Sequence, residues 1–284
     1  MTQDSRPVSS TTDCNHEYAD ILGVRVSAIN LVRAVDIATR WIATGKSGYV
    51  CVTGVHGVME AQKGAELRNI LNHAVMNTPD GMPMSWIGWL QGFDEMDRVF
   101  GPDFMSAICQ LSPEQNYRHF LYGGQPGVAQ KLKELLERKF SGLQIVGTYT
   151  PPFRTLNAEE ENELLAKVYA SSPHILWVGL STPKQELFMA HYVDRLQVPL
   201  LVGVGAAFDY HTGRIRDCSP WIKRAGLQWL HRLLQDPRRL WRRYLKNNFT
   251  FTWKITLQLL RQRRHSRISV TRAPTSRSDA DVRS

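Results

Sequence analysis

The sequence predicts an α/β fold: a Rossmann-like, mostly parallel sheet flanked by helices, with a basic helical appendage at the C-terminus. Three observations predict it. Short apolar runs alternate along the chain with segments of helical periodicity. Each apolar run ends in glycine or polar loop residues, as strands do when their carboxyl ends share one sheet edge. Basic residues gather in residues 222–264, where twelve Lys and Arg accompany one acid, Asp236.

Residues 18–27 read as two short strands turning at Gly23. Residues 31–44 carry helical spacing through Leu31, Val35, Ala38 and Ile42. Gly48-Tyr-Val-Cys-Val-Thr53 is near-continuously apolar, the pattern of a strand buried on both faces. Helices are expected at 55–62 and 65–73, a strand at 74–76 and a helix at 84–90. Residues 93–103 read as a polar connector before a helix at 104–111. Strands follow at 119–122, 143–147, 174–178 and 199–204, with helices at 128–140 and 157–169 between them.

The 284 residues suit one large α/β domain or two small ones, and 43% apolar content allows a sizeable core. The net charge of +9 is unevenly placed: residues 222–264 carry +11, the last twenty carry +2, and those before 222 carry −4. A mildly acidic body thus bears a strongly basic tail that calls for a polyanionic partner. The expected organisation is a disordered leader (1–17), a Rossmann-like domain (18–221), a basic amphipathic membrane-docking appendage (222–264) and a disordered tail (265–284). The polar start has no signal-peptide core, which points to a cytosolic protein. No apolar run approaches the length of a membrane span. Cys14, Cys51, Cys109 and Cys218 lie far apart, form no metal pattern, and read as reduced and mostly buried thiols. No metal and no cofactor are expected.

Asn77-Thr-Pro-Asp80-Gly81-Met-Pro83 places one carboxylate in a strand-to-helix loop. Asp80 reads either as a general base or as a helix N-cap. The other loops at the same predicted edge carry Thr53-Gly54, Gly123-Gly124-Gln125, Ser181-Thr-Pro-Lys-Gln185-Glu186 and Gly205-Ala-Ala-Phe-Asp209. The Gly123-Gly124 turn reads as backbone N–H groups for a diphosphate, or as a tight turn alone. Gly203-Val-Gly205 starts like a dinucleotide fingerprint, but Phe208 stands where the third glycine belongs, so a nicotinamide site is not expected.

These motifs, in this order, resemble the WecG/TagA/CpsF family of bacterial glycosyltransferases. The matching pieces are Thr53, Thr78-Pro-Asp80-Gly81-Met-Pro83, Arg98-Val-Phe-Gly101-Pro-Asp103, Phe120-Leu-Tyr-Gly123-Gly124, Val178-Gly179-Leu-Ser-Thr-Pro183-Lys-Gln185-Glu186 and Val202-Gly-Val-Gly-Ala-Ala-Phe208-Asp209. Gly226-Leu-Gln-Trp229, Arg232 and Asp236-Pro-Arg-Arg239-Leu-Trp-Arg-Arg-Tyr244 extend the match. The chain departs from the family's usual pattern at Gly54-Val55, at Gln228 and at Asp217-Cys-Ser219.

The resemblance implies an inverting transferase that moves a sugar from a UDP-sugar to a polyprenyl-diphosphate-linked sugar, in surface polysaccharide synthesis at the inner face of the cell membrane. It implies Asp80 as base, Thr53, Arg98 and Gln185 as active-site residues, and Asp209 beside the nucleotide. The chemistry agrees: inversion needs one base for the acceptor hydroxyl, and the departing diphosphate needs positive charge. Arg98 and three arginines of the tail, Arg224, Arg232 and Arg239, are expected to supply that charge. Arg261, Arg263 and Arg264 are expected to face lipid.

Apolar residues at helical spacing over 239–260, with Arg and Lys between, resemble an interfacial amphipathic helix for an anionic membrane surface. The alternative is a Rossmann-like nucleotide-binding module whose tail binds nucleic acid or a protein. No nucleic-acid motif accompanies the tail, so nucleic acid is not the expected partner. The oligomeric state is not set, a homo-oligomer being compatible with the sequence.

Overall fold

The computed structural model describes residues 16–271, apart from the side chains of Arg239, Arg243 and 263–271. Nearly all of the expected leader, Cys14, most of the expected tail, and the side chains of Arg239, Arg263 and Arg264 therefore lie outside the described residues.

A hairpin, β1 (Tyr18–Ile21) and β2 (Val24–Ser27), leads into α1 (Leu31–Ala43) and β3 (Gly48–Thr53). Then come α2 (Val55–Glu60), α3 (Ala65–Asn72), β4 (Met76–Pro79), α4 (Met82–Leu90), α5 (Gly101–Gln115) and β5 (Arg118–Gly123). The body continues with α6 (Val128–Lys139), β6 (Gln144–Tyr149), α7 (Ala158–Ser171), β7 (Ile175–Gly179), α8 (Lys184–Leu196), β8 (Leu200–Gly203) and α9 (Ala207–His211). The appendage holds α10 (Pro220–Arg224), α11 (Gln228–Gln235) and α12 (Pro237–Thr271).

Six strands form one sheet in the order β4-β3-β8-β7-β5-β6, every pair parallel. The predicted α/β class, parallel sheet and helical C-terminal segment are present. The strands are apolar on both faces, and their alternation divides the core in two. Tyr49, Cys51, Tyr122, Leu176, Val178 and Leu201 point to one face, with α2, α3, α4, α7, α8 and α12. Val50, Leu121, Trp177 and Val202 point to the other, with α1, α5, α6 and α9. The hairpin is tied to β4 through Asn77, whose N–H donates to Ser27 Oγ (3.0 Å) and whose side chain donates to the Arg25 carbonyl (3.1 Å).

Several boundaries differ from the sequence reading: β4 covers Met76–Pro79, into the segment read as the Asp80 loop, and α8 begins at Lys184, inside the segment read as a loop through Glu186. Helix α5 begins at Gly101, inside the predicted connector, because Pro102 suits a first helical turn whose N–H groups lack partners. The tail helix α12 starts at Pro237 and runs to Thr271, well past residue 260. Cys51, Cys109 and Cys218 are free and buried.

Candidate active site

Asp80 stands directly after β4, where the chain leaves the sheet's carboxyl edge. Its N–H donates to the Thr53 carbonyl (3.0 Å), which fastens it to the end of the neighbouring strand β3. Gly81, at φ +90°, then turns the chain into α4 and is that helix's N-cap residue. No side chain caps α4, so the reading of Asp80 as a cap does not hold. A side chain at Gly54 would place its Cβ 2.7 Å from the Asp80 carbonyl oxygen, so only glycine lets the β3–α2 turn approach this closely.

The Asp80 carboxylate accepts no hydrogen bond among the described residues. Burial pushes its pKa up to about 6; Arg98 pulls it down and Asp103 pushes it further up. A carboxyl group titrating there can take up a proton near neutral pH.

Arg98 lies behind the cavity wall, not in it. Val99 N–H donates to the Pro79 carbonyl (2.8 Å) and so holds the Arg98 segment against the end of β4. The guanidinium donates to Gln228 Oε1 (2.9 Å) and Asp103 Oδ2 (3.1 Å), and lies 4.7 Å from the centre of the Phe100 ring. Arg98 therefore joins the Asp80 loop to α11 of the appendage.

The cavity over this edge measures about 1730 Å³. Asp80, Gly124, Gln185, Asp209 and Arg232 line it, five of the residues singled out from sequence. Gln185 is fixed at both ends: its Oε1 accepts from Gly205 N–H (2.9 Å) and its amide donates to Glu186 Oε1 (3.0 Å). Glu186 is buried, also accepts from Thr182 Oγ1 (2.8 Å), and has its pKa raised by burial. Asp209 pairs with Arg214 (3.2 Å), which also donates to Gln125 Oε1 (2.8 Å) and links α9 to the loop after β5.

Thr53 and Gly123 stand behind the lining. The Thr53 hydroxyl is buried and has no hydrogen-bond partner among the described residues. The Gly124 N–H is not turned toward the cavity for a diphosphate, because it donates to the Gly179 carbonyl (3.0 Å). Gly123, at φ +116°, is pressed against the same carbonyl.

From the appendage, Arg232 reaches the cavity with its guanidinium 5.5 Å from the Tyr210 ring centre. Arg224 does not reach it and is exposed. Its neighbour Lys223 lines the cavity instead, paired with Asp217 and 5.3 Å from the centre of the Phe100 ring. Adjacent residues on a helix point about 100° apart, so the sequence named a basic pair without saying which member turns inward. Tyr210 also went unnamed, though it adjoins the quoted Asp209, and Gln228 was read only as a departure from the family's pattern. Burial raises the Tyr210 pKa.

A carboxylate on the cavity floor and cations from helices above it define a ligand-binding α/β protein suited to an anionic substrate. The chain belongs to the WecG/TagA/CpsF family of glycosyl transferases, which it matches over residues 19–265. It is 27% identical over 209 residues to the N-acetylglucosaminyldiphosphoundecaprenol N-acetyl-β-D-mannosaminyltransferase of Bacillus spizizenii, across 74% of this chain and 79% of that relative.

Proposed function

We propose that this glycosyltransferase moves a sugar from a UDP-sugar, with inversion, to a sugar carried on a polyprenyl diphosphate, with Asp80 as general base. The observation that carries the reading is the Asp80 carboxylate: on the cavity floor, without a hydrogen-bond donor, and raised to about 6. In the reaction, an acceptor hydroxyl gives its proton to Asp80 as its oxygen attacks the anomeric carbon. The bond from that carbon to the UDP oxygen breaks on the opposite side, and the electron pair leaves with the diphosphate. Arg232 and Lys223, both in the lining, stabilise the departing charge. Arg98 moderates the Asp80 pKa and holds α11 over it.

The activity of the Bacillus relative supports this acceptor class. The surface of α12 supports the same reading. Trp241, Leu245, Phe249 and Trp253 recur every fourth residue and are exposed, with Leu260 further along the same side. Exposed Arg238, Arg242 and Lys246 accompany them. A solvent-facing stripe of aromatic and basic residues suits the interface of an anionic bilayer. Among the described residues, no helix is long and apolar enough to cross a membrane.

A screen of UDP-sugars for UDP release, with an N-acetylglucosaminyl diphosphate lipid as acceptor, tests the reaction, and NMR of the product reads its anomeric configuration. Activity with one UDP-sugar and an inverted product is expected. Release of no UDP from any donor, or a retained configuration, would refute it. Co-sedimentation with anionic liposomes, set against binding to duplex DNA at matched salt, tests the docking surface; tighter binding to DNA would favour a nucleic-acid partner.

A further inference from the structure

The cavity is larger than the reaction centre requires. Pockets that enclose a drug-sized ligand run to about 300–1,000 Å³, against about 1730 Å³ here. One stretch of the cavity wall, a trough, is built by α8 and α12. Helix α8 lines it with Phe188 and Tyr192, α12 with Phe251, Ile255 and Leu259, and the segment after β6 with Leu156. We propose that this trough holds the first isoprene units of the acceptor's prenyl chain, a reading that rests on the proposed reaction.

Three features favour an apolar chain. The first is polar satisfaction. The one hydroxyl among those six residues, on Tyr192, donates to Glu161 Oε1 (2.6 Å), and that carboxylate is also held by Arg195 (2.5 Å). The Tyr192 ring can thus be covered by hydrocarbon without stranding a polar group. The second is continuity. One cavity holds both the Asp80 floor and the trough, so a sugar at Asp80 and its lipid tail along α12 fit a single molecule. The third is direction. The side of α12 turned away from Phe251 carries exposed Phe249 and Trp253, so a chain leaving the trough emerges beside the surface proposed to touch lipid. The trough's α12 rim is formed by Thr252 and Thr256, both exposed, which leaves it open along its length.

Calorimetric titration of the full chain in detergent-free buffer, with farnesyl diphosphate and separately with inorganic pyrophosphate, tests the trough without turnover. Farnesyl diphosphate should bind at least tenfold more tightly. Thr252→Trp and, separately, Thr256→Trp fill the trough from exposed positions and should each remove most of that advantage, leaving pyrophosphate affinity unchanged. Trp253→Ser, on the outer stripe, should keep it. Equal affinity for the two compounds would overturn the proposal, as would an advantage that survives both threonine changes or is lost in Trp253→Ser alone. UDP release with a short-chain soluble acceptor is read in parallel. Its absence together with a prenyl-dependent affinity would count against the reaction and not against the trough.

Discussion

Strands β3, β7 and β8 bury nearly every side chain, whereas α10 and α11 bury none. Helix α12, the longest in the chain, buries only Leu240, Phe251 and Ile255 among its described side chains. Hydrophobic burial therefore holds the sheet, while the appendage adds polar ties to the few apolar side chains it buries. Four of its amide side chains reach the body. Gln228 meets Arg98, Gln235 meets both backbone groups of Arg216, Asn247 meets His56, and Gln258 meets the β1–β2 turn at Leu22 and Asp20. Each such bond contributes on the order of 1 kcal/mol, far less than the burial beneath the sheet. The cavity takes its walls from both regions, and Lys223 and Arg232 reach it from the appendage.

The most severe way to break that arrangement is truncation before Ile222. It should abolish turnover even with a water-soluble short-chain acceptor, because Arg232 and Lys223 leave with it, yet retain a cooperative thermal transition. Full-length activity in the truncated enzyme would make the appendage an anchor only. Truncation after Leu260 should cost liposome binding and spare most activity on the soluble acceptor.

A smaller change within the body is Asp80→Asn. Turnover should fall by about a hundredfold or more. Stability should move the other way. A carboxyl raised in the folded state, from 3.8 to about 6, favours folding most below pH 3.8 and loses that contribution as pH rises to about 6. The variant should therefore melt about 2–5 °C higher than the parent at pH 7.5 and show no such gain at pH 3.8. In the parent, kcat/KM should fall roughly tenfold per pH unit below about 6, as Asp80 protonates. A wild-type rate in Asp80→Asn would place the base elsewhere.

Within the appendage, single cations separate lining from surface. Arg232→Ala and Lys223→Ala should each lower kcat/KM for the UDP-sugar about tenfold, mainly through kcat, whereas Arg224→Ala should leave it within twofold. Equal effects at Lys223 and Arg224 would mean that the helix presents its other side during catalysis.

The smallest expected effect lies on the far face of the sheet and reads the body alone. Buried His119 accepts from Trp177 Nε1 at Nδ1 (2.9 Å) and donates through Nε2 to Ser112 Oγ (2.8 Å), and burial lowers its pKa from 6.5 to about 3. Because the folded value is depressed, this contribution is full above pH 6.5 and is lost as pH falls toward about 3. His119→Gln should flatten the fall in urea midpoint between about pH 6 and 4, with catalysis at pH 7.5 changed less than twofold. An unchanged acid slope would show that other groups govern it.

The sequence by itself determined the order of the strands, because burial on both sheet faces demands near-continuous apolar runs such as Gly48-Tyr-Val-Cys-Val-Thr53. It also determined that Asp80, Gln185 and Asp209 follow strands, and hence that parallel pairing would bring them to one edge. Only the tertiary structure decided which strands are neighbours, since β3 pairs with β4 and β8 and its sequence names neither partner. It decided that Lys223, not Arg224, turns into the cavity, and that the Gly124 N–H is consumed by Gly179. Both depend on how a helix is rotated, or how closely two strand ends approach, when distant segments pack. A local motif carries the chemistry of a side chain, but its direction and its free hydrogen bonds come from residues far away in the chain.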